Sequence, residues 1–105
     1  MDALDFSQRI DDLMYEIEDF IDTMSVDIDC QMGPGVLTMV CPNGSHIIAS
    51  RQSATQELWL ATKRDGFHFA FDADAQAWLS TKDGRDFREV LAEASLEQAG
   101  EAIKI

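Results

Sequence analysis

Residues 17–29 read IEDFIDTMSVDID, with carboxylates at Glu18, Asp19, Asp22, Asp27 and Asp29 and no basic residue among them. Carboxylate oxygens are hard donors. With no nucleophile or base beside them, the chemistry they offer is capture of hard cations: Mg²⁺, Ca²⁺, Mn²⁺ and iron, Fe³⁺ above all. Spacing decides how well they do it. Glu18 and Asp22, four apart on a helix, would have Cβ atoms about 6 Å apart. Asp27 and Asp29, on one face of a strand, would lie about 7 Å apart. Such pairs can share an ion but cannot enclose one, so binding should be weak, poorly selective and multiple, with water filling most coordination positions. The competing reading is a hydrated acidic face that binds nothing in particular.

Other chemistries lack their residues. The GPG at 33–35 is a turn, not a phosphate loop, and no Glu-x-x-His pair of a di-iron bundle occurs. His46 and His68 fall in strand patterns without a nucleophile nearby, and read as plain surface or edge histidines. Cys30 and Cys41 form no C-x-x-C and no zinc spacing, and sit in apolar strand patterns as buried thiols. An enzyme with a preorganised pocket is disfavoured.

The elements that must position the carboxylates follow from periodicity. Residues 4–24 form an amphipathic helix: Phe6, Ile10, Leu13, Met14, Ile17, Phe20, Ile21 and Met24 fill an arc of roughly 120°. Asp11, Asp12, Glu16, Glu18, Asp19 and Asp22 share the opposite face. Asp5 or Ser7 is the expected cap. In SVDIDCQM the period becomes two, with Val26, Ile28, Cys30 and Met32 inward and Asp27, Asp29 and Gln31 outward. Further strands follow in VLTMVC, HIIASR, ELWLAT, FHFAF and AWLST, separated by short turns of which Asn43-Gly44 is the strongest signal. Phe67, Phe69 and Phe71 share a face. Residues 86–97 form a second helix, with Asp86 and Glu89 resembling a capping box, and Ile103 and Ile105 are expected against the core.

The result is one α+β domain over residues 1–105: a two-layer sandwich with two helices on one face of a six-stranded, mainly antiparallel sheet. The sheet's other face then meets water. Trp59 should point there, as either an interface residue or one covered by Arg51 or Gln52. The alternation around Trp78 is too weak to assign its face.

The chain has 20 acidic and 8 basic residues, a net charge of −12. Ten of the acids lie in residues 1–29, with Arg9 as the only base. That surface argues against nucleic acid and anionic membrane as partners, and for cations or a basic protein patch. The acidic start, MDALDFSQRID, does not have the pattern of a targeting leader, so the expected location is cytoplasmic.

Helix–strands–helix order, DIDC, GVLT, NGS followed by II, RQ, WLAT, GFHF, Trp78, DG before the last helix and QAG near the end resemble the frataxin family, in its bacterial branch. The resemblance implies the same sandwich and a non-enzymatic, iron-binding role in iron–sulfur cluster assembly. It implies weak surface binding of Fe²⁺ and Fe³⁺, open to other divalent cations, on Glu18, Asp19, Asp22, Asp27 and Asp29, extended by Asp11, Asp12 and Glu16. It implies a cysteine desulfurase and the scaffold protein as partners, contacted through Glu18, Asp19 and Asp22 and through a sheet surface at Arg51, Gln52 and Trp59. The expected state is a monomer that iron could oligomerise. Ser50 stands where the family usually has asparagine, and Glu57 where it has glutamine, which puts the partner contacts at Trp59 in question. Two alternatives remain: a ferroxidase or iron store on the same ridge, and an acidic inhibitor of another protein. The ferroxidase needs buried ligands that are not evident; the inhibitor should carry charge over its whole surface.

Overall fold

The computed structural model describes residues 1–105. Helix α1 spans Ala3–Ile21. Six strands follow: β1 (Asp29–Gly33), β2 (Val36–Val40), β3 (His46–Gln52), β4 (Glu57–Ala61), β5 (Gly66–Asp72) and β6 (Ala77–Ser80). Helix α2 spans Phe87–Ala99. The strands form one antiparallel sheet in the order β1-β2-β3-β4-β5-β6, the meander expected of strands joined by short turns.

Helix α1 buries Phe6, Ile10, Leu13, Met14, Ile17 and Ile21 on the stripe that the 3–4 spacing marks. Its cap is Asp2, not Asp5 or Ser7. Asp2 is the last residue with extended backbone, and its side chain accepts the Asp5 N–H at 2.8 Å. The helix stops at Ile21, three residues before the apolar pattern ends; Met24 packs on the core from the following loop.

The inner sheet face supplies Leu37, Met39, Ile47, Ala49, Leu58, Leu60 and Phe69, joined by Phe87, Val90 and Leu91 of α2. Trp78 belongs to this layer: it is buried, edge-on to Phe6 at 6.0 Å and to Phe71 at 5.3 Å. Asp86 caps α2 by accepting the Arg88 N–H at 2.8 Å. The Glu89 N–H donates to the Asp86 backbone carbonyl and the Glu89 side chain makes no return bond, so Asp86 is a simple N-cap rather than the expected capping box. Ile103 is fully buried, and its N–H donates to Ser95 Oγ at 2.8 Å.

β1 begins later than its alternation suggests, at Asp29. The partner strand β2 ends at Val40, opposite Asp29, so residues 26–28 have no strand to pair with, and the chain before them is held from its far end. Glu101 Oε1 accepts the N–H groups of Ser25 and Val26, at 3.0 and 3.2 Å, so those donors have no need of a neighbouring strand. Asp27 therefore lies on a loop rather than in the sheet.

Candidate metal-binding ridge

Two elements meet at the ridge. The last turn of α1 carries Glu18 and Asp19, and Asp22 is its C-cap; the loop and β1 carry Asp27 and Asp29. Asp19, Asp22, Asp27 and Asp29 are exposed and Glu18 is half-buried. None of the five is paired with a lysine or arginine; Asp29 accepts a hydrogen bond from Gln31 Nε2 at 3.1 Å. Their electrostatic setting is doubly negative. No basic residue offsets the last turn of α1, where the unsatisfied carbonyls already carry the negative end of the helix dipole.

Cys30 reports that the two elements converge. Its thiol is pushed up to about 11, first by burial and then by the negative charges of Glu18, Asp22 and Asp29. One side chain thus feels carboxylates from the helix and from the strand together. The thiol is half-buried, so the exposed donors of the ridge are carboxylate oxygens. No group of three or more His, Cys, Asp or Glu side chains is arranged to hold a metal ion. The carboxylates therefore form no enclosed cage.

The expected extension of the ridge toward the N-terminus is largely neutralised. Asp11 accepts from Arg51 at 2.9 Å. Glu16 takes both terminal nitrogens of Arg88, at 2.9 and 3.1 Å. Asp12 accepts from Gln8 Nε2 at 2.8 Å. Gln8 is neutral, so Asp12 keeps its charge, and of the extension only Asp11 and Glu16 are matched by arginines.

Arg51 also corrects the expected sheet surface. It is opposite Leu58 in the β3–β4 ladder, so it belongs to the inner side and reaches α1. Gln52, Ser50 and Trp59 are on the outer face: Ser50 is opposite Trp59, and Gln52 is opposite Glu57. Trp59 is half-buried, though not by Arg51. Its indole N–H donates to Glu57 Oε1 at 2.8 Å, and its ring lies parallel to His68, with centroids 4.1 Å apart. Glu57 is thereby built into the face. His68, taken from sequence as a plain surface histidine, is the opposite residue to Trp59 in the β4–β5 ladder, and register was the signal that could have placed it. Glu101, which fixes the link between the ridge's two halves, had no local signal at all.

A Frataxin-like domain family model matches residues 1–101. The chain is 42% identical over 105 residues to the iron-sulfur cluster assembly protein CyaY of Neisseria meningitidis serogroup B, covering 100% of this chain and 96% of that one. It is 40% identical over 99 residues to the protein of the same name from Stutzerimonas stutzeri, covering 94% and 90%. Among solved structures, a frataxin from Psychromonas ingrahamii superposes with a TM-score of 0.90 at 28% identity, over 99% of this chain and 97% of the other. A trimeric frataxin from Saccharomyces cerevisiae, complexed with ferrous iron, shares the fold: TM-score 0.72, 19% identity, 96% and 88% covered.

Proposed function

The chain belongs to the frataxin family, and from that premise we propose that it binds iron on the Glu18–Asp29 ridge and regulates or supplies iron–sulfur cluster assembly. The observation that carries this reading is a set of five carboxylates without a basic partner, three of which, Glu18 and Asp22 from the helix end and Asp29 from the edge strand, converge on Cys30. A cation placed there relieves like-charge repulsion and meets the negative end of the α1 dipole. Because the strip does not enclose an ion, the bound iron is weakly held, largely hydrated and exchangeable, as suits a carrier or sensor rather than a store. The relative complexed with ferrous iron supports iron as the cargo.

The same charges make a docking surface for a basic patch on a cysteine desulfurase, and the outer face at Gln52 and Trp59 is the second contact, with the scaffold protein. Since Arg51 is engaged with Asp11, its contribution is to fix α1 on the sheet. Iron and the desulfurase compete in part, because they use the same carboxylates. The protein acts as a non-enzymatic monomer in this reading. Cys30 and Cys41 are both free thiols, which suits a reducing compartment and a cytoplasmic location.

Replacing Glu18→Gln, Asp19→Asn and Asp22→Asn together tests the shared surface. Affinity for the desulfurase in low salt should fall by about tenfold or more, and the salt dependence should flatten. Iron affinity should fall in parallel. Unchanged desulfurase affinity in low salt would remove the shared-surface reading.

A further inference from the structure

We propose that His68, Trp59 and Glu57 form a proton-operated charge switch on the outer face of the sheet. The rings of His68 and Trp59 are parallel within 4° and 4.1 Å apart. Glu57 Oε1 accepts the indole N–H at 2.8 Å and lies 3.7 Å from His68 Nδ1. With a neutral imidazole this oxygen serves chiefly the indole. With an imidazolium it faces two donors, and one of them is charged.

Charged groups from three segments surround the ring. Glu57 faces it from β4. Lys82 and Asp83, from the segment after β6, line the same shallow depression as His68, as does Asp65 from the turn before β5. These three acids and one base are the charged groups that face the imidazole. The indole face adds cation–π attraction once the ring is charged. The His68 side chain is 48% exposed, so solvent can deliver the proton without any opening of the fold.

The consequence is a change in what the outer face presents. Its outward strand positions carry no lysine or arginine. With His68 neutral, Glu57 is an uncompensated negative charge beside Trp59. With His68 protonated, that charge is matched and both rings are held against each other. Imidazoles make this change between about pH 5 and 8, so modest acidification would alter the face without disturbing the ridge.

Tryptophan emission tests the switch. The chain has two tryptophans, so Trp78→Phe leaves Trp59 as the single fluorophore. Between about pH 8 and 5 its emission should fall along a one-proton curve. His46→Gln should leave the curve intact, and His68→Gln should abolish it. A flat profile, or one that survives His68→Gln, overturns the proposal. Because Trp78 is a core residue, the same question can be put to the unmodified chain by NMR. The Trp59 indole N–H signal should move with the His68 ring signals and share their midpoint. An indole signal that stays still while the His68 ring titrates overturns the proposal equally.

Discussion

Cys30 is where the field of the ridge can be read directly. Its thiol is raised to about 11 by burial and by Glu18, Asp22 and Asp29, so at pH 8 only a small fraction is thiolate, the reactive form. In a Cys41→Ser background, alkylation of Cys30 should be far slower than that of a free cysteine. Glu18→Gln with Asp22→Asn removes negative charge, lowers the thiol's pKa and so raises the rate at fixed pH. The increase is partial, because burial is the larger cause and remains. A pH–rate profile unchanged by the double substitution would show that the carboxylates do not converge on this side chain. At this scale the five ridge acids were legible in the sequence, because a run of carboxylates without bases needs no tertiary information. The loss of Asp11 and Glu16 to arginines was not, since Arg51 and Arg88 lie 40 and 72 residues away in the chain. The inward facing of Arg51 was legible in principle: Ile47 and Ala49 are buried, and strand alternation carries the next odd position to the same side.

The helix and the edge strand are held in register by Glu101. Its carboxylate takes two backbone N–H groups from the loop between them. Glu101→Ala leaves both donors without that partner and should cost about 1–3 kcal/mol in urea denaturation. It should also weaken iron binding, because Asp27 and Asp29 are no longer fixed relative to Asp22. A variant with wild-type stability and wild-type iron affinity would show the strap to be incidental. The helices and hairpins themselves were readable from period and turn chemistry, which are local. The hold on the segment before β1 was not, because the group that takes the Ser25 and Val26 backbone donors is 75–76 residues distant. The facing of Trp78 was equally hidden: it depends on Phe6 and Phe71 from two other elements.

Across the whole molecule, charge is distributed unevenly and at a cost in stability. Residues 18–29 carry five acids and no base, within a chain of net charge −12. Such crowding destabilises the compact state through self-repulsion. Neutralising Glu18, Asp19 and Asp22 should therefore raise stability by about 1 kcal/mol at low salt, with the gain shrinking as salt is added. A loss of several kcal/mol in the same denaturant titration would mean that these acids hold the fold together rather than serve a ligand. In the proposed function, the unpaired carboxylates of the α1 end, the following loop and the edge strand act together as the iron site. The most direct measurement is anaerobic addition of Fe²⁺ to the ¹⁵N-labelled protein, with paramagnetic line broadening followed residue by residue. Broadening should begin at residues 18–30, reach both α1 and β1 at the same iron concentration, and vanish in the Glu18→Gln/Asp19→Asn/Asp22→Asn variant. Broadening that starts at His46 or His68, or that persists unchanged in the variant, would contradict it.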